Sequence, residues 1–162
     1  MKEYLFEAKE ELKRADHLIY VSLKYTRTVD VIRSVIERLI NAFDSAIKAL
    51  LEKAKEEKKI DSYSKSAGIK CSLIKQLFPN NKEMEQYMDF YLLLRKMIRL
   101  EYKKIEEYRR HVAMLVQIDS HTMISVDIDR IKEYYDRAEA FVNVVSEYCG
   151  EEERISSDYE YY

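Results

Sequence analysis

Arg109, Arg110 and His111 stand side by side in the stretch EYRRHVAML. An imidazole beside guanidinium groups has the parts that RNA cleavage uses, a proton-handling group for the 2′-hydroxyl and a cation for the phosphate. Direction decides whether they can cooperate. On a helix that turns about 100° per residue, Arg110 points about 100° and Arg109 about 160° away from His111. Within one subunit the three groups make a poor active site, and only a second copy would bring an arginine to His111. His121 follows Asp119 in DSHTMISVD, where a loop leaves it open to a ligand or a partner, although a surface pair is the plainer reading. His17, beside Asp16, reads as a half-buried side chain on a packed helix.

The arginines have a second use. With Arg95 as zero on the same wheel, Arg99 falls at about 40°, Lys103 at about 80° and Arg110 at about 60°. These four make a basic stripe interrupted by Glu106. Residues 91–114 hold seven Arg or Lys against three Glu. Such a stripe is a candidate surface for RNA phosphates or an acidic partner, with His111 and His121 beside it. The competing reading is a solvated helix side neutralised by its own ion pairs. Leu93, Met97, Leu100 and Leu115 collect between about 140° and 200°, a second apolar zone that either sets this helix centrally in the bundle or forms a dimer interface with another subunit.

Other chemistries lack their residues. Phosphate-cradling loops need clustered glycines, and the chain has only Gly68 and Gly150. Zinc sites use close pairs of His or Cys, which His17, His111, His121, Cys71 and Cys149 do not form. A helical di-iron site needs Glu-x-x-His twice, whereas Glu107 and His111 are four apart and occur once. No metal and no cofactor is expected.

Long helices must position these groups. Leu5, Ala8, Leu12, Ala15, Ile19 and Leu23 recur at helical steps and predict a helix over 2–25. A break at 26–28 precedes a second helix carrying Val31, Val35, Leu39, Ala42 and Ala46 that ends near 57–59. DSYSKSAG, 61–68, is a connector, IKCSLIKQLF a short helix, and Pro79 its stop. Asn80 and Glu83 have capping-box spacing for a third helix running to about Gln117. Ser125 or Asp127 caps a fourth, which Gly150 ends. Residues 1–150 are expected to form a single helical-bundle domain, and 151–162 an acidic, flexible tail.

Composition agrees with helices. In 162 residues there are two glycines and one proline, which sheets and barrels would want for their turns. Apolar residues make up 47%, enough for a core, and charged residues 36%. A net charge of -2 argues against non-specific wrapping of DNA. Cys71 and Cys149 are too sparse for a disulfide framework and, without a signal peptide, point to reduced thiols in the cytoplasm. The longest apolar runs, such as FYLLL, are far below the roughly 20 residues that cross a bilayer, so no membrane association is expected.

Three stretches resemble the HEPN superfamily: AFDSAIKALLEKAKE at 42–56, SYSKSAGIKCSLIKQLFP at 62–79 and SVDIDRIKEYYDRAEAFVNVVSEY at 125–148. The resemblance implies an all-α, HEPN-like bundle of four long antiparallel helices plus one short helix. It also implies a homodimer, and a nucleotidyltransferase-like partner such as many small members act beside. The family's ribonucleases carry Arg, four to six residues, then His. Here the arginines preceding His111 lie one, two, twelve and sixteen residues away, and those preceding His121 eleven and twelve. No family catalytic residue therefore transfers. The expectation is a non-catalytic HEPN-like binding or assembly module. The alternatives are a ribonuclease or toxin with a displaced intersubunit Arg–His site, and an RNA-binding protein that does not cleave.

Overall fold

The protein is described from a computed structural model covering residues 1–150. The acidic tail expected at 151–162 lies outside the described residues. The chain begins with α1 (Lys2–His17), passes through a π-helical turn (Leu18–Ser22) and ends that rod with α2 (Leu23–Tyr25). After a break at 26–28 come α3 (Val29–Glu56), α4 (Ala67–Leu77) and α5 (Lys82–Arg99). Three strands follow, β1 (Tyr102–Ile105), β2 (Ala113–Gln117) and β3 (Met123–Asp127), and then α6 (Ile128–Tyr148).

α3 is the axis of the core. Leu5, Ala8, Leu12, Ala15, Ile19 and Leu23 are all buried, as the sequence spacing requires, and α1 packs along α3. Alanines 8, 15, 42, 46 and 49 are fully buried, and small side chains let helix axes come close. α6 closes another side of α3: the Phe43 ring stacks on Phe141 with centroids 4.7 Å apart, and on Tyr91 of α5 at 5.6 Å.

The all-α, HEPN-like bundle is corrected by the sheet. The third helix stops at Arg99, eighteen residues short of Gln117, and the following chain is an antiparallel meander in the order β1-β2-β3. Register pairs Tyr102 with Val116 and Val116 with Ile124. Two-residue alternation explains the strands. Met114, Val116 and Val126 are wholly buried, while Leu115 and Ser125 take the other face. The β2 strand packs on α3 and β3 on α6.

The glycine shortage misleads because these turns use other residues. Glu106 (φ 49°) and Tyr108 (φ 65°) adopt the left-handed backbone between β1 and β2. Between β2 and β3 the Asp119 carboxylate accepts the His121 amide at 2.8 Å, a side-chain turn that needs no glycine. The starts of α3, α5 and α6 follow side-chain caps. Thr28 accepts from Val31, Asn81 (one residue after the Asn80 expected) from Met84, and Asp127 from Arg130.

Candidate functional site

Arg95, Lys96 and Arg99 occupy the last turns of α5, where the carbonyl end of a helix favours cations. Opposite them lies the start of α4. The Ser66 side chain makes no capping bond, and the Ser66 amide donates to Ser64 Oγ at 3.0 Å. The first helical bond of α4 runs from the Lys70 amide to the Ser66 carbonyl at 2.9 Å. The amides of Ala67, Gly68 and Ile69 therefore have no helical acceptor, and they carry the positive end of the α4 dipole.

The two elements enclose a cavity of about 400 Å³. Ser66, Ala67 and Gly68 form one wall and Arg95, Lys96 and Arg99 the other, with Leu92 and Leu100 between. No carboxylate lines it, and none of the three cations makes an ion pair among the described residues. An anion with several oxygens satisfies both walls at once, since backbone amides at a helix start and guanidinium forks are both donors to phosphate.

Beneath the cavity a polar chain orients Arg95. Its guanidinium lies 5.7 Å from the Tyr91 ring centroid, and the Tyr91 hydroxyl donates to the Asp44 carboxylate. Burial, reinforced by that bond, pushes the Tyr91 hydroxyl far up from its ordinary value. Lys70, in the first turns of α4, is buried, and burial holds its amine below the usual lysine range. Asp44 opposes that shift, and Lys48 and Arg95 add to it.

The remaining residues of the expected stripe do not join this wall. Lys103 is exposed on β1, and Arg110 and His111 are exposed in the turn between β1 and β2. That turn is anchored elsewhere: the Tyr108 amide donates to the Arg27 carbonyl at 2.6 Å, and Glu107 Oε2 accepts the Val29 amide at 3.0 Å. Lys104 lies 3.5 Å from Asp30. Arg109-Arg110-His111 thus ride on a turn that caps α3.

His121 lies at the opposite end of β2. Because Tyr102 pairs with Val116, its turn falls beside the end of α5. Asp119 in that turn is held below the usual carboxylate range by the His121 amide, with help from Thr122 and the charge of Lys96. Met97 is wholly buried, Leu93 and Leu100 are half-buried against the core, and Leu115 is half-buried on the other face of β2. A helical wheel sets Lys96 off the stripe and is silent on the Ser66–Gly68 turn, so neither is found from the sequence. The signal for the turn is a Ser-rich connector opening directly into a helix.

A different basic cluster is already neutralised. Glu11, 9% exposed, accepts from Arg14 at 2.8 Å, from Arg38 at 3.3 Å and from Asn41 at 3.5 Å. His17 is exposed, with an interaction of its own, on a cavity that also includes Glu10 and Lys13. No group of three His, Cys, Asp or Glu able to hold a metal occurs among the described residues. No helix described is long and apolar enough to cross a membrane. In comparisons with known proteins, no family model, no curated protein and no solved structure matches the chain.

Proposed function

We propose that the chain is a non-catalytic binding module that takes the phosphate backbone of single-stranded RNA at the cavity of Arg95, Lys96 and Arg99. The observation that carries this reading is the convergence of three cations, without ion-pair partners among the described residues, on the open start of α4. Exposed Lys65, just before the cavity wall, extends the positive row beyond one phosphate. A repeating backbone suits such a row better than a single ion does. The net charge of -2 keeps the attraction local to this face. The cytoplasm suits the protein, because neither Cys71 nor Cys149 forms a disulfide among the described residues and burial pushes the Cys71 thiol up to about 11.

Titration of a fluorescent single-stranded RNA at several salt concentrations tests the proposal. Replacing Arg95 and Arg99 together by alanine is expected to weaken binding by about tenfold or more. It should also flatten the salt dependence by roughly 0.7 for each phosphate that is no longer neutralised. Equal binding by wild type and variant, or no binding by either, overturns the reading. Cleavage of the RNA that His121→Ala abolishes would replace a binding module by a ribonuclease.

A further inference from the structure

A second cavity, of about 230 Å³, forms where the π-helical turn meets the start of α6. Its charged lining is entirely basic, Lys24, Arg27 and Lys132, and none of these is ion-paired among the described residues. Arg27 Nε is buried and has no hydrogen-bond partner among the described residues. Buried guanidinium donors are normally satisfied, whereas Arg27 is held in this wall with its charge not neutralised by an acid among the described residues. The backbone of Arg27 is fixed, since its carbonyl accepts the Tyr108 amide at 2.6 Å. The side chain is therefore presented from a held position.

The rest of the wall is apolar. Ile19 and Tyr20 come from the π turn and Leu23 follows it directly, while Ile128 is the first residue of α6. A π turn departs from regular helical hydrogen bonding and recurs at binding sites. Lys132 Nζ stands 5.3 Å from the Tyr20 ring centroid, so the cation and the aromatic surface adjoin. The volume lies below the roughly 300–1,000 Å³ of drug-sized ligand sites, which limits the occupant to a small molecule.

We infer that this cavity binds a small phosphate monoester, its phosphate between Arg27, Lys24 and Lys132 and its apolar or aromatic end against Ile19, Leu23 and Tyr20. The site is separate from the RNA face and does not rest on it. Its charge comes from the helix break and α6, whereas the other comes from α4 and α5.

Isothermal titration of the full chain with phenyl phosphate, and in parallel with inorganic phosphate, tests the inference. Phenyl phosphate is expected to bind the wild type more tightly than inorganic phosphate. Arg27→Gln should weaken it by about tenfold or more, as loss of a charge-assisted hydrogen bond does. Lys132→Met, on a half-buried side chain, should weaken it as well and serves if Arg27→Gln fails to fold. In the Arg95/Arg99 double alanine background, where the α4–α5 cavity no longer competes for phosphate, phenyl phosphate should still bind and Lys132→Met should still weaken it. Absence of phenyl phosphate binding, affinity unchanged by Lys132→Met, or loss in the Arg95/Arg99 variant overturns it. Equal affinity for inorganic phosphate overturns the assignment of the apolar wall.

Discussion

Around Glu11, two arginines and an asparagine converge on one buried carboxylate; around Leu92 and Leu100, two arginines and a lysine converge on a space that no acid lines. Both clusters lie between helices and both contain half-exposed guanidinium groups. They differ in one group, the carboxylate. Where it is present, the cations hold α1 to α3 and have little left for a ligand. Where it is missing, the cations have no ion-pair partner among the described residues, with Asp119 only sensing the charge of Lys96, and they stay available to an anion from outside. The number of arginines in a cluster therefore says little about function, and the number left unpaired says much more.

Giving the open cavity an acid of its own should erase the contrast. A Cβ at Gly68 would meet nothing within 4 Å, so the position is open to the start of a glutamate side chain in Gly68→Glu. The new carboxylate faces the RNA phosphates as a like charge, and binding should fall by about a hundredfold. The same change should raise thermal stability. Glycine inside a helix costs roughly 0.5–1 kcal/mol, and an acid in a first turn returns about 0.3–1 kcal/mol. A variant that loses stability and keeps its RNA affinity breaks the comparison.

The converse experiment removes the acid that is already there. Glu11→Gln should cost on the order of 1–3 kcal/mol in urea unfolding, because buried hydrogen bonds to Arg14 and Arg38 lose their charge. RNA affinity should stay as it is. Unchanged stability would show that the Glu11 cluster holds nothing together.

A smaller effect should appear in alkali. The folded amine of Lys70 lies below its ordinary 10.5, chiefly through burial. Between the folded and unfolded values the unfolded chain binds more protons, so Lys70 costs stability at neutral pH and ceases to cost it as pH rises through the window just below 10.5. Lys70→Met should accordingly be more stable than wild type near pH 7, by a margin that shrinks toward that limit. Tyr87, pushed up to about 12 by burial, Tyr91 and Tyr135 act in the opposite direction above pH 10 in both proteins. The difference between the two curves is therefore the quantity to measure. A constant difference would mean that the amine is not destabilised by its surroundings.

The helices are legible in the sequence because their signals are local. Apolar steps of three and four locate the first rod, α3, α4 and α6, and the break at 26–28, Pro79 and Asp127 fall at the boundaries. The sheet is hidden by the same periodicity. Leu94, Ile98, Ile105 and Val112 continue a helical step across Arg99, while the alternation of Met114, Val116, Ile124 and Val126 spans too few residues to compete with it. Turns made by Glu106, Tyr108 and Asp119 remove the glycine signal that would expose the hairpins. Arg95 and Arg99 can be found because they lie within α5. A wheel groups Lys103 and Arg110 with them, but the chain leaves that wheel at Leu100. The wall supplied by α4 has no local mark, since it depends on how two elements meet.

Glu107 holds the Val29 amide across 78 residues of chain. During synthesis the start of α3 must emerge and wait, short of this bond, until the β1–β2 turn has left the ribosome and found it. A turn made after residue 100 thus completes a helix begun before residue 30, and a nascent chain stalled before Glu107 would hold its longest helix with that end still loose.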